Sequence, residues 1–73
     1  MSGLPRVSGR ECITALERKG FRLARQHGSH MILRRNDPFC QVVVPAHKEL
    51  DRGTLRAILR QTGIGVGEFL SLL

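Results

Sequence analysis

Seventy-three residues with 41% hydrophobic content suffice for one domain with a thin core, and leave no length for a regulatory module or a cofactor domain. The net charge is +6, from 12 Lys and Arg against 6 Asp and Glu, and ten of the twelve cations are Arg. Arginine makes flat, bidentate contacts with phosphate and stacks on bases, so the chain is suited to a polyanionic partner, either nucleic acid or an acidic protein surface.

The first seven residues, with Gly3 and Pro5, read as a loose lead-in. Ser8-Gly9-Arg10-Glu11 then matches a capping box, in which Ser8 caps a helix and Glu11 reaches back to the Ser8 amide. Val7 is placed to staple against Cys12. Cys12, Ile13, Ala15 and Leu16 follow at helical spacing, Arg18-Lys19 fall at the negative end of the helix dipole, and Gly20 supplies the stop. The spacing predicts a first helix over Gly9 to Lys19.

Phe21-Arg22-Leu23-Ala24-Arg25 alternates and predicts a half-buried strand. His27-Gly28-Ser29 reads as a tight connection, and His30 to Arg35 as a returning strand. Asn36-Asp37-Pro38 is turn chemistry, and Cys40 to Val44, ending at Pro45, is β-branched enough for a third strand. Short turns imply an antiparallel meander. Either His30 shares the core side with Ile32, or Met31 and Leu33 point inward; the alternation is compatible with both.

Ala46 to Leu50 is a basic loop carrying His47 and Lys48. Asp51 is placed to cap a second helix with a stripe of Leu55, Ile58 and Leu59 that Gly63 ends. Val66 to Leu73 suggests a short closing helix. The whole is an α+β order of helix, three strands, helix, with two helices packed on one face of a three-stranded antiparallel sheet, as in the double-stranded-RNA-binding domain.

Cys12 and Cys40 stand alone, without a Cys-x-x-Cys pair, and suit buried thiols in a reducing compartment. The N-terminus carries no apolar signal region and no run is long enough for a membrane span, so a cytoplasmic protein is expected. The histidines and cysteines do not fall at zinc-ligand spacings, the acids do not cluster for Mg²⁺, and there is no phosphate-binding glycine loop.

What remains is histidine. RNA cleavage needs a base to take the 2′-hydroxyl proton, an acid to protonate the leaving 5′-oxygen, and cations for the charge on phosphorus. His30 follows Gly28, which permits close backbone approach, and Ser29, whose hydroxyl suits a phosphate. Arg34, Arg35 and Lys48 are candidate RNA-binding cations, and His47 is the candidate second acid/base. The competing reading has His30 hydrogen-bonding backbone at the strand edge. His27 reads as an exposed turn residue. Gly53-Thr54 reads as plain helix capping, with a phosphate site at that helix start the alternative.

Several segments carry a family resemblance when taken in order: Gly9-Arg10-Glu11 with Leu16, Lys19-Gly20-Phe21, Gly28-Ser29-His30, Val44-Pro45-Ala46-His47, Gly53 to Gly63, and Glu68-Phe69. Over about Gly9 to Leu72 the chain resembles the HicA (YcfA-like) family, the mRNA-cleaving toxins of bacterial type II HicA–HicB toxin–antitoxin pairs. The resemblance implies a double-stranded-RNA-binding-like fold and a metal-independent, cofactor-free endoribonuclease, an mRNA interferase. It puts the catalytic histidine at His30. It further implies single-stranded mRNA as substrate and a HicB-type antitoxin that blocks the site. The chain departs from the family pattern at Met31, where a polar residue is common, and at Gly65-Val66-Gly67, where a Ser or Thr cap is usual. Two other functions fit the same composition: a non-catalytic RNA-binding module of this fold, and a protein-interaction domain with a basic face.

Overall fold

The capping box forms as its spacing requires. The Glu11 amide donates to Ser8 Oγ at 3.0 Å and the Ser8 amide donates to Glu11 Oε1 at 2.8 Å. In the computed structural model, which describes residues 3–73, this cap opens α1 (Gly9–Glu17). Met1 and Ser2 of the expected lead-in lie outside the described residues. The helix ends two residues before Lys19, but the stop at Gly20 is where the sequence puts it. Gly20 takes φ +90°, its amide donates to the Glu17 carbonyl, and the Phe21 amide donates to that of Leu16. That paired closure lets the chain reverse and drops Phe21 into the core.

Three strands follow: β1 (Arg22–His27), β2 (His30–Asn36) and β3 (Phe39–Pro45), antiparallel and in the order β1-β2-β3. Then come α2 (Arg52–Thr62) and α3 (Val66–Leu72). The α-β-β-β-α order and the closing helix are those the sequence predicts. Asp51 caps α2 by accepting from the Thr54 amide at 3.0 Å, and Gly63 closes it at φ +75°. No side chain caps α3, consistent with Gly65 at that position. It is held instead by buried Phe69, by a 2.6 Å ion pair between Lys19 and Glu68, and by Arg18 donating to the Leu72 carbonyl at 2.8 Å.

Both α1 and α2 pack on the same side of the sheet, against β3, and α1 also reaches β1. The core lies between these layers. Met31 and Leu33 of β2 and Val42 and Val44 of β3 point into it, to meet Cys12 and Leu16 of α1 and Leu55 and Ile58 of α2. This resolves the choice left by the alternation: Met31 and Leu33 are the inward residues, and His30 and Ile32 face away from the helices. The apolar Met31 therefore fills a core position opposite Val44.

The expectation for β1 needs correcting. All six of its residues are exposed, because β1 is an edge strand that α1 reaches but does not cover fully. Its register with β2 slips between Leu23 and Arg25. That bulge brings Arg22 and Arg25, three residues apart, to the same face. Among the described residues, no helix is long and apolar enough to cross a membrane.

Candidate active site

The β1–β2 turn is shorter than the sequence suggests. His27 is the last residue of β1, paired with His30, and only Gly28 and Ser29 form the loop. Gly28 takes φ +57° while Ser29 does not have positive φ, the signature of a type II′ hairpin turn, whose twist matches that of the flanking strands. The Gln26 side-chain amide donates to the Gly28 carbonyl at 2.9 Å and braces the turn. His27 thus leaves the turn and joins His30, on the same face of the sheet and directly across the ladder, where Cβ atoms lie about 5 Å apart.

The opposite flank of His30 is equally defined. His30 pairs with Pro45, and the ladder runs one step further, with the Ala46 amide donating to the Ser29 carbonyl at 2.6 Å. The Gly9 amide donates to the His47 carbonyl at 2.9 Å, docking the start of α1 on the same segment. Gly9 is required there, since a Cβ would lie 2.0 Å from the Pro45 carbonyl oxygen. The Leu50 amide donates to the Val7 carbonyl at 2.8 Å. Helix start, loop and hairpin therefore form one backbone-bonded unit around His30.

The face of the sheet turned away from the helices forms a ladder of rows. The first is His27, His30 and Pro45; the second Arg25, Ile32 and Val43; the third Arg22, Arg34 and Gln41; the last Asn36 and Phe39. In the third row Arg34 donates through Nε and Nη2 to Gln41 Oε1, at 3.2 and 3.1 Å, which holds its guanidinium along the sheet. None of the six acidic side chains belongs to these rows.

The other residues singled out from the sequence are placed differently. Arg35, one residue on from Arg34, is on the helix side. Its guanidinium sits 4.7 Å from the centroid of the Phe21 ring and its Nε donates to the Pro38 carbonyl at 3.1 Å. It ties the end of the β2–β3 hairpin to the closure of α1 and does not join His30. His47 and Lys48 are exposed in the loop after β3. His47 is close enough to Asp51 for its charge to help lower that carboxyl's pKa, after the larger effect of hydrogen bonds from Thr54. Ser29 is exposed beside Gly28 at the hairpin tip. The sequence reading of His27 as an exposed turn residue gives way to its place in β1, and Arg22, Arg25 and Phe39 are not singled out by the sequence at all. A Gly-Ser pair between two alternating runs is itself a two-residue hairpin signal and is enough to find His27.

No individual curated protein gives a significant match to the chain. A family model does: that of the HicA toxin of bacterial toxin–antitoxin systems, over residues 9–64. The matched span opens on the glycine that docks α1 against β3, includes the His27–His30 hairpin, and closes one residue past the Gly63 helix stop. With that match covering most of its length, the chain belongs to the HicA toxin family.

Proposed function

We propose that this toxin is an endoribonuclease that cleaves single-stranded mRNA at the hairpin end of its open sheet face, with His30 as general acid/base. The pairing of His27 with His30 on a face that also carries Arg22, Arg25 and Arg34 is the observation that carries the reading. His27, rather than His47, is the second proton-transfer group. One imidazole takes the proton from a 2′-hydroxyl as that oxygen attacks the adjacent phosphorus. The P–O5′ bond breaks, and the other imidazole, protonated, gives its proton to the leaving oxygen. The products are a 2′,3′-cyclic phosphate and a 5′-hydroxyl, and the two histidines exchange protonation states. Arginine side chains one and two rows away hold the neighbouring phosphates and so seat the strand against the two histidines. The reading asks nothing of a metal, and among the described residues no three His, Cys, Asp or Glu side chains gather.

Membership of the family implies a cognate antitoxin. We propose that it is of the HicB type and that it neutralises the toxin by covering this basic face, since a surface that attracts phosphate also attracts carboxylate.

The test is His30→Ala in purified, correctly folded protein. Loss of a general acid/base lowers the rate by about 10²–10⁴-fold. Cleavage at the parent rate sinks the assignment. Salt-sensitive RNA binding with no cleavage by the parent protein makes the chain a non-catalytic RNA-binding module instead.

A further inference from the structure

Phe39 is the outlier among the three phenylalanines. Phe21 and Phe69 are 1% and 0% exposed, whereas Phe39 is 68% exposed, and its strand position turns it onto the same open face as His30. It stands in the last row of the ladder, three steps from the histidine row. Each step spans two residues of strand, about 7 Å, so Phe39 lies about 20 Å from His30 along the sheet. A step of that size is on the scale of the phosphate-to-phosphate repeat of an extended single strand. The row nearest the histidines offers Arg25 and the next offers Arg22 and Arg34, so cations stand between the reacting end and the aromatic end.

We infer that the open sheet face is a linear track for unpaired RNA, with the scissile phosphate at His27 and His30, the next phosphates on Arg25 and on Arg22 and Arg34, and an unpaired base stacked on Phe39. This deepens the ribonuclease reading and rests on it. A basic surface alone would accept a duplex or an acidic protein equally well. The aromatic platform decides for single strands, because a ring can stack on a base only where that base has left its helix. Arg34 strengthens the case: its anchoring to Gln41 fixes its guanidinium on the track before any RNA arrives.

Three comparisons test it, using His30→Ala protein so that RNA survives the measurement. Fluorescence anisotropy with fluorescein-labelled oligouridylates of two to eight nucleotides is expected to show affinity rising steeply until the strand spans the four rows, then flattening. Phe39→Ala is expected to weaken binding of an octamer about 5- to 100-fold, the usual effect of losing one stacked base, and to leave a dinucleotide unaffected. Arg22→Ala with Arg25→Ala is expected to flatten the slope of log affinity against log salt by about 0.7 for each phosphate that is no longer neutralised. The control is Arg56→Ala with Arg60→Ala, which removes two charges from exposed positions on α2, on the other side of the molecule.

If the two arginine pairs weaken binding equally and Phe39→Ala changes nothing, the attraction is diffuse and the track is refuted. The same holds if a duplex of equal length competes as well as the single strand. Should Phe39→Ala and Arg22→Ala reduce affinity for the antitoxin while RNA binding stays intact, the face belongs to the protein partner and the track is again refuted. Each of these outcomes is compatible with cleavage by the parent protein, so failure of the track is distinguishable from failure of the ribonuclease reading, which is judged by His30→Ala cleavage alone.

Discussion

His27 and His30 face each other across the β1–β2 ladder, separated in sequence only by Gly28 and Ser29. A two-residue hairpin is among the stiffest ways a chain can present two side chains side by side, because register and twist are both set by the turn. A proton taken at one imidazole and given at the other requires the two to be in opposite protonation states. Cleavage by the parent protein is therefore expected to follow a bell-shaped pH–rate profile. His27→Asn keeps a polar side chain on the strand but removes the titrating ring. It is expected to lower the rate by about 10²–10⁴-fold and to leave a profile with one limb. A bell that survives the substitution excludes His27 from proton transfer, and His47→Asn then becomes the variant to assay.

Gly9 packs against Pro45 with no room for a side chain between them. Alanine is the better helix former, so Gly9→Ala would be stabilising by up to about 1 kcal/mol if propensity alone counted. The close approach opposes this: the new Cβ would sit 2.0 Å from the Pro45 carbonyl oxygen, and backbone on one side has to move. Overpacking of this kind costs about 1–3 kcal/mol or more. The net expectation is destabilisation, read as a fall in Tm of about 4–8 °C per kcal/mol for a chain of this size. Because the Gly9 amide also holds the His47 carbonyl, activity should fall further than stability accounts for, in assays run well below the new Tm. A variant as stable as the parent would mean that the start of α1 can lift without disturbing the loop.

Neighbouring arginines separate binding from folding. Arg34 is exposed on the histidine face, and Arg35 lies half-buried over Phe21. Arg35→Ala removes a cation–π interaction and a hydrogen bond to the Pro38 carbonyl, an expected loss of about 1–2 kcal/mol by chemical denaturation. Its effect on RNA affinity should be no more than that of removing one distant charge. Arg34→Ala is expected to do the reverse, weakening RNA binding with stability almost unchanged. If the two variants exchange these phenotypes, β2 turns its other side to the helices.

How much of this is legible in the sequence follows from the range of each cause. The capping box at Ser8, the glycine stops at Gly20 and Gly63 and the cap at Asp51 are decided within four residues, and each forms where the sequence predicts it. Which side of β2 is buried is not a local matter. Both Met31/Leu33 and Ile32 are apolar, and the helices choose between them by covering one face only. Arg34 and Arg35 look alike in a charge count and are separated by that same choice. The bulge between Leu23 and Arg25 leaves no mark in the residue pattern, yet it alone brings Arg22 and Arg25 to one face. Phe39 falls between the turn and the third strand as the sequence predicts them, and its exposure on the open face is a property of the hairpin register.

The two thiols should differ sharply in reactivity. Cys12 is fully buried and its pKa is pushed up to about 11 by loss of solvation, so almost no thiolate is present near neutrality. Cys40 is half-buried, with its Sγ donating to the Gln61 carbonyl at 3.4 Å. Iodoacetamide near neutral pH is expected to add once to the folded protein, at Cys40, and twice after unfolding, with peptide mass spectrometry giving the sites. Labelling of Cys12 at a rate matching that of Cys40 would show that the α1–sheet core opens far more readily than its packing suggests.

The acid limb of stability should carry the signature of Asp51. Hydrogen bonds from Thr54, through the side chain first and the backbone amide second, hold its pKa below the ordinary 3.8, and the charge of His47 adds to the effect. A carboxyl whose pKa is lower in the folded state stabilises that state at pH values above its unfolded pKa, and the contribution disappears as pH falls through the folded pKa. Asparagine caps a helix about as well as aspartate but does not titrate. Asp51→Asn is therefore expected to be slightly less stable than the parent near neutrality and to lose less stability on acidification, so that the two melting curves draw together below about pH 4. His47→Ala should show the same convergence more weakly, because it removes only the smallest of the effects that lower the pKa. Parallel curves for Asp51→Asn and parent down to about pH 2 would show that the Thr54 bonds persist in the unfolded chain or do not depend on the carboxylate charge. The capping of α2, and with it the attachment of the His47 loop, would then have to be explained by backbone bonds alone.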